Sequence, residues 1–370
     1  MATLVQAPEE VVQRLQQKLQ ADDTSLPDKY RALFSLRNVA GTEATHALTK
    51  ALQDESDLFR HDVAFCLGQR QDPTAVGILK QLVADSQQHA MVRHEAAEAL
   101  GAIADPDCLQ LLQRHAADSC QEVAETCQLA LGRLAYLEQK KAATAAADGA
   151  DGAAAAAAAA GEAEEQSPYY SVDPTPALPS STPVEQLRVL LLDPKAPMFE
   201  RYRALFALRN KGGEEAVAVL GEAFSCSSAL LKHEVAYVMG QMQHPASAGV
   251  LGRVLQCAVY VVCDRAGSRS CPGVVWLLKH EVAYVMGQMQ HPASAGVLGR
   301  VLQDTQEHAM VRHEAAEALG SVADAASVAL LKQFAQDPEP IVAHSCVVAL
   351  DMLEHEASGA FEYADTGAAQ

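Results

Sequence analysis

The stretch MVRHEAAEALG at residues 91–101 returns letter for letter at residues 310–320. Its frame, a His-acid dipeptide with a glycine seven residues after the histidine, decides the fold. His94-Glu95 leads to Gly101 and His313-Glu314 to Gly320; His61-Asp62, His233-Glu234 and His280-Glu281 lead likewise to Gly68, Gly240 and Gly287. Around the dipeptide, Val92, Ala96, Leu100 and Ile103 recur at the spacing of one face of an α-helix. Extended outward, the frame reaches Tyr30 and Glu125, so the rungs are Tyr30, His61, His94 and Glu125, while Tyr202, His233, His313 and His344 occupy the matching rungs further on. A period of a little over thirty residues accommodates two short helices and two turns, and each repeat can bury its apolar stripe only against its neighbours. The chain therefore reads as all-α, an α-solenoid with about four repeats per lobe.

Two lobes follow from a longer repeat. Lys29-Tyr-Arg-Ala-Leu-Phe-Ser-Leu-Arg-Asn38 returns as Arg201-Tyr-Arg-Ala-Leu-Phe-Ala-Leu-Arg-Asn210. Between them, residues 142–183 hold eight consecutive alanines at 153–160 and then a proline-rich run. That composition lacks the apolar variety to build a core, so a disordered acidic linker is expected between lobes at 1–141 and 184–370, the two being pseudo-symmetric. One region breaks the ladder. Leu230–Gln256 recurs identically as Leu277–Gln303 after twenty residues that hold three cysteines and the only tryptophan. The offset that carries Tyr30 to Tyr202 and His61 to His233 is longer by that added length where it carries His94 to His313. A 47-residue insertion near 257–303 is expected, from a recent duplication or a gene-model error. Upstream spacing from Tyr202 makes His233 the native rung; the distance to His313, equal to that from His61 to His94, makes it His280.

Hydrophobic residues at 49% with aromatics at only 5% suit helices better than sheets. A net charge of −19 argues against nucleic acid, whose phosphates are bound through a surplus of Lys and Arg. Seven acids and no base lie between Ala142 and Leu187, which leaves −12 on the lobes and favours a basic protein substrate. There is no long uncharged apolar run, and the first thirty residues, with Glu9, Glu10, Arg14 and Lys18, do not resemble a signal peptide. A cytoplasmic protein without a membrane partner is expected, and a monomer. The nine cysteines lack CxxC spacing and read as reduced, mostly buried thiols.

Neutral imidazole and carboxylate together suit Fe, Mn or Zn. A single His-Glu pair on a helix is usually a solvated face. Repetition changes that reading: the rungs at His61-Asp62 and His94-Glu95 carry the dyad, and so do His233-Glu234, His280-Glu281 and His313-Glu314, whereas the flanking rungs Glu125-Thr126 and His344-Ser345 do not. A purely architectural motif would recur on every rung. Histidines of adjacent rungs would line one face, and two lobes could gather their dyads around a pair of ions. His355-Glu356 lies off the ladder; His89, His115 and His308 have no acid in frame; Tyr30 and Tyr202 read as packing residues. A phosphohydrolase of the HD type would explain His61-Asp62 alone but not its alignment with the His-Glu rungs. The alternative to a metal enzyme is a non-catalytic solenoid that binds a partner through its concave face.

The phrases MVRHEAAEALG and KHEVAYVMGQ, the dyads in two lobes and the ending ALDMLEHEASGAFEYAD (349–365) resemble the deoxyhypusine hydroxylase family over nearly all the chain outside the linker and the insertion. The resemblance implies a HEAT-repeat di-iron monooxygenase that holds two Fe ions, Fe2+ when reduced, between its lobes. It implies O2 as co-substrate and, as partner, the deoxyhypusine form of eukaryotic translation initiation factor 5A. It further implies that His61 and His94 hold one iron and His280 (or His233) and His313 the other. Carboxylates would come from Asp62 and Glu281 (or Glu234) by crossing between lobes, with Glu95 and Glu314 as direct or supporting partners. Asp62 stands where that family has glutamate, and the rung at His233 is doubled. A family member inactivated by the insertion is the remaining alternative.

Overall fold

The computed structural model describes residues 4–21, 24–148, 167–169, 172–256 and 272–358. They divide into two compact units, one from residues 1–179 and 197–203, the other from 180–196 and 204–363. Among the described residues the regular structure is eighteen α-helices, two short 3-10 turns and one isolated bridge between Val5 and Val39.

In the first unit α1 (Glu9–Gln20) and α2 (Leu26–Asn38) are followed by α3 (Thr42–Ala51), α4 (Asp57–Arg70), α5 (Val76–Ala84), α6 (Ala90–Ile103), α7 (Leu109–His115) and α8 (Gln121–Asp148). The even-numbered helices pack side by side in order, so the rungs Tyr30, His61, His94 and Glu125 follow one another along one row. After α9 (Val184–Leu192) and α10 (Met198–Lys211), the second unit repeats the scheme with α11 (Gly213–Ala223), α12 (Ala229–Gln241), α13 (Pro245–Gln256), α14 (Pro272–Gln288), α15 (Pro292–Gln303), α16 (Ala309–Val322), α17 (Ala325–Phe334) and α18 (Pro340–Ser358). Here α12, α14, α16 and α18 stack in succession and carry His233, His280, His313 and His344.

Both copies of the duplicated block are folded. The first lies within α12 and α13, the second within α14 and α15, and α14 packs between α12 and α16, so the duplication adds a helix pair to the stack. Residues 257–271, with Cys257, Cys263 and Cys271, lie outside the described residues. Of the stretch expected to be a linker, 142–148 continue α8 and 149–166 lie outside the described residues. Residues 172–183 are described: Thr175 is 1% exposed, the Arg133 side chain donates to the Asp173 carbonyl, and Leu178 N–H donates to Arg203 O at 3.2 Å. Four of the six described cysteines, Cys66, Cys108, Cys127 and Cys346, are buried thiols, and all six are free.

Local chemistry starts and spaces the rung helices. Ser56 Oγ accepts from Phe59 N–H at the head of α4, and Ser228 Oγ accepts from Leu231 N–H at the head of α12. His89 and His308, which have no acid in frame, cap α6 and α16 by accepting from Met91 and Met310 N–H at 3.3 and 3.2 Å. The glycine seven residues after each histidine has a steric cause. A Cβ built on Gly68 would lie 2.9 Å from Ala99 Cα, and one on Gly287 2.7 Å from Ala318 Cα, so α4 and α14 can approach α6 and α16 this closely only with glycine there.

Candidate metal centre

Three donors converge in each unit. His61, His94 and Glu95 present ligand atoms that all lie within 4.8 Å of one another, and so do His280, His313 and Glu314. The two sets are built alike. The close approach of α4 to α6 sets the His61 and His94 ring centroids 5.8 Å apart, and that of α14 to α16 gives His280 and His313 the same 5.8 Å. His61 Nε2 stands 3.3 Å from Glu95 Oε2, and His280 Nε2 stands 3.1 Å from Glu314 Oε2. His94, Glu95, His313 and Glu314 are buried, while His61 and His280 keep a partly open edge.

A buried arginine next to His94, and another next to His313, fixes the helix that bears it. Arg93 donates to Val83 O and reaches Asp118 at 2.6 Å; Arg312 donates to Leu302 O and reaches Asp337 at 2.5 Å. The Arg93 hydrogen bonds hold the Asp118 carboxyl well below the usual carboxylate range. At Asp337 burial opposes ionisation, but the Arg312 bond and charge outweigh it and the carboxyl is lowered too. Sequence reasoning missed these anchors. The available signal was the arginine that immediately precedes each of these dyads, with Asp118 as far beyond Arg93 as Asp337 is beyond Arg312.

The other expected site residues fall elsewhere. Asp62 is outside the three-donor group: Oδ1 lies 3.0 Å from His61 Nδ1, and Oδ2 accepts from Tyr30 O–H at 2.9 Å. Tyr30, expected only to pack, thus holds the carboxylate that orients His61. Glu281 meets His233 Nε2 at 3.2 Å, the same contact one rung outward, but among the described residues no third donor joins that pair, and Glu234 belongs to neither group. His280 therefore holds, against His313 and Glu314, the position that His61 holds against His94 and Glu95. In each unit the hydroxyl rungs are buried beside the cluster, at Thr126 and Ser345. A cleft reaches the first cluster, lined by Phe65, Glu95, Glu98, Thr126, Leu129 and Val172 among others.

The donor set fits a metal on its own chemistry. Two imidazoles and a carboxylate are ligands for divalent iron, manganese or zinc, and nitrogen–oxygen separations near 3 Å are what neighbouring ligands at about 2.1 Å from one ion require. The electrostatics agree. Burial works against a charged His61, yet its contacts with Asp62 and Glu95 and their charges prevail and push the imidazole up to about 10. Without a metal, a proton supplies the positive charge that the two carboxylates favour.

Known proteins point one way. HEAT repeats match at residues 12–90 and 276–351, and the PBS lyase HEAT-like repeat at 92–118 and 200–226. The chain is 42% identical over 344 residues to deoxyhypusine hydroxylase of Danio rerio, covering 92% of this chain and 90% of that protein. It is 41% identical to that of Homo sapiens over 358 residues, 96% of each chain, and 42% identical to that of Arabidopsis thaliana over 345 residues, 92% of this chain and 90% of the relative. Among solved structures, human deoxyhypusine hydroxylase superposes with a TM-score of 0.60 at 40% identity, covering 93% of this chain and 96% of that one. With two units of stacked helical repeats, and with relatives of one name spanning almost its whole length, the chain belongs to the deoxyhypusine hydroxylase family and is an enzyme of that type.

Proposed function

We propose that the chain is an iron-dependent monooxygenase that hydroxylates the deoxyhypusine side chain of eukaryotic translation initiation factor 5A in the cytoplasm, with O2 as oxidant. The observation that carries this reading is the pair of like donor groups, His61, His94 and Glu95 in one unit and His280, His313 and Glu314 in the other. Two groups provide for two iron ions, Fe2+ when reduced. Asp62 on α4 and Glu281 on α14 complete the proposed ligand set, and the extra rung His233-Glu234 stands outside it. Iron held there supplies the one-electron chemistry that O2 needs before it can react with a C–H bond. The reaction places one oxygen atom in that bond and reduces the other to water with two electrons from an external reductant.

The protein's own part is binding, orientation and exclusion of water. The cleft beside the first cluster combines apolar Phe65, Leu129 and Val172 with the carboxylates of Glu95 and Glu98, and with Arg133, whose side chain is bonded to the Asp173 carbonyl. Such a surface suits a long alkyl amine, whose methylenes leave water while its cation meets the acids. Arg93 and Arg312, bonded to Val83 O and Asp118 and to Leu302 O and Asp337, anchor the helices that bear His94 and His313.

The deciding experiment is iron analysis of the purified protein after anaerobic loading, followed by mass spectrometry of the deoxyhypusine form of the factor for the gain of one oxygen atom. Two irons per chain and an O2-dependent product support the proposal. A protein that retains no stoichiometric iron and leaves the side chain unchanged overturns it, and leaves the non-catalytic solenoid in its place.

A further inference from the structure

Ser345 occupies, on α18, the rung after His313, and it is fully buried. Its Oγ lies 2.5 Å from His313 Nδ1 and 2.8 Å from Ile341 O. With the hydroxyl hydrogen given to the Ile341 carbonyl, which can only accept, the serine oxygen accepts from the imidazole. In that arrangement His313 carries its hydrogen on Nδ1, and Nε2 is the nitrogen turned toward Glu314 Oε2, at 3.8 Å. The Glu317 carboxylate, 3.5 Å from the same Nδ1, favours the same tautomer through its charge. His61 reaches the same end by another route, with Asp62 Oδ1 3.0 Å from its Nδ1. Nε2 is the atom that both His61 and His280 turn toward the glutamate of their cluster. In the first unit Thr126 stands as far beyond His94 as Ser345 does beyond His313, and it makes the same back-bond, to Glu122 O at 2.8 Å.

We infer that Ser345 is a positioning residue for the second cluster, one that fixes His313 in the Nδ1–H tautomer so that Nε2 is presented as a metal ligand. This rests on the reading of that cluster as an iron site. A hydrogen bond to the far nitrogen of a ligating histidine selects its tautomer, locks the ring and raises its basicity, and loss of such a partner typically weakens metal binding about 10- to 100-fold. Because the device acts on one histidine of one cluster, removing it should loosen one iron of two and leave the other in place. Loss of packing would loosen both.

The test uses the full chain with selectively 15N-labelled histidine. In the metal-free protein, the nitrogen shifts of His313, assigned by its loss in His313→Ala, report the tautomer. Wild type should show protonated Nδ1; Ser345→Ala should move His313 toward a mixture of tautomers, and Ser345→Thr, which keeps the hydroxyl, should restore the wild-type pattern. In the iron-loaded protein, release to a chelator should become biphasic in Ser345→Ala, with one equivalent leaving about 10- to 100-fold faster, and return to the wild-type course in Ser345→Thr. An unchanged His313 tautomer in Ser345→Ala, or uniform release of both irons, overturns the inference. Wild-type protein that takes up no iron overturns the reading beneath it, and the inference with it.

Discussion

His280 Nε2 lies 3.1 Å from Glu314 Oε2, in the arrangement that His61 and Glu95 hold in the first unit at 3.3 Å. His233 makes the same contact with Glu281 at 3.2 Å, but among the described residues that pair belongs to no group of three donors. His280→Ala should therefore remove one of two irons and lower turnover by more than about 100-fold, since a direct ligand matters more than its supporting partners. His233→Ala should retain both irons and most activity. Metal analysis of the two variants side by side checks this, and equal losses would show that the extra rung takes part.

The duplicated block offers a sharper version. Deleting 257–303 joins the first copy to Asp304, and because the copies are identical, α12 then presents to α16 the residues that α14 presents now. His233 should take the place of His280 and Gly240 that of Gly287, so the shortened protein should still bind two irons. In that background His233→Ala becomes the damaging substitution. A shortened protein that is folded by circular dichroism but holds fewer than two irons would contradict the idea.

Asp62 gives a third expectation. It is held between the Tyr30 hydroxyl and the His61 ring, beside the cluster. Asp62→Ala should cost about 10- to 100-fold in iron affinity, and Tyr30→Phe a smaller part of that, because the carboxylate keeps its imidazole contact but loses a donor. Asp62→Glu adds a methylene and should strengthen iron retention if this carboxylate itself reaches metal. Chelator competition ranks the variants; Asp62→Ala that binds iron like wild type would remove Asp62 from the site.

Much of this architecture was legible in the sequence because solenoid order is written in a period. The frame from His to Gly marks the rung helices, and the steric reason, glycine against alanine of the next rung, is local to adjacent repeats. The second lobe's ambiguity was legible as well, but not its geometry: identical letters at His233 and His280 cannot say which helix lies next to α16. The hydroxyl at Ser345 escapes a search for acids, although it stands in the acid's register. The segment at 172–183 reads as linker by composition, yet Thr175 is buried by contacts that composition does not encode.

Stability against acid should report the arginine anchors. Asp118 and Asp337 have folded-state values below the ordinary 3.8, so each stabilises the fold fully above that value and loses its contribution as pH falls toward the folded value. The metal-free protein should melt at lower temperature as pH drops from about 5 to about 3. The Asp118→Asn, Asp337→Asn double variant should melt below wild type at pH 6 and show a shallower acid slope, so that the gap closes on acidification. A constant gap across the titration would mean that ionisation of these two carboxylates is not what the arginines stabilise.

Substrate capture supplies the last prediction. Glu95 and Glu98 line the cleft at the first cluster, and the chain carries a net charge of −19. A cationic side chain on a basic loop should be drawn there, and the attraction should weaken as salt shortens the Debye length from roughly 10 Å at 0.1 M to roughly 3 Å at 1 M. Glu98 offers the cleaner test because it belongs to neither donor group. Glu98→Gln should raise KM for the deoxyhypusine protein several-fold, leave iron content unchanged and flatten the salt dependence, since the charge that salt screens has gone. Shortening the alanine run at 153–160, which carries no acid, should change neither KM nor its response to salt. Steady-state hydroxylation across a salt series, with wild type, Glu98→Gln and the shortened chain, separates these outcomes. A KM indifferent to salt in wild type, or one that responds to the alanine run and not to Glu98, would place substrate capture somewhere other than this cleft.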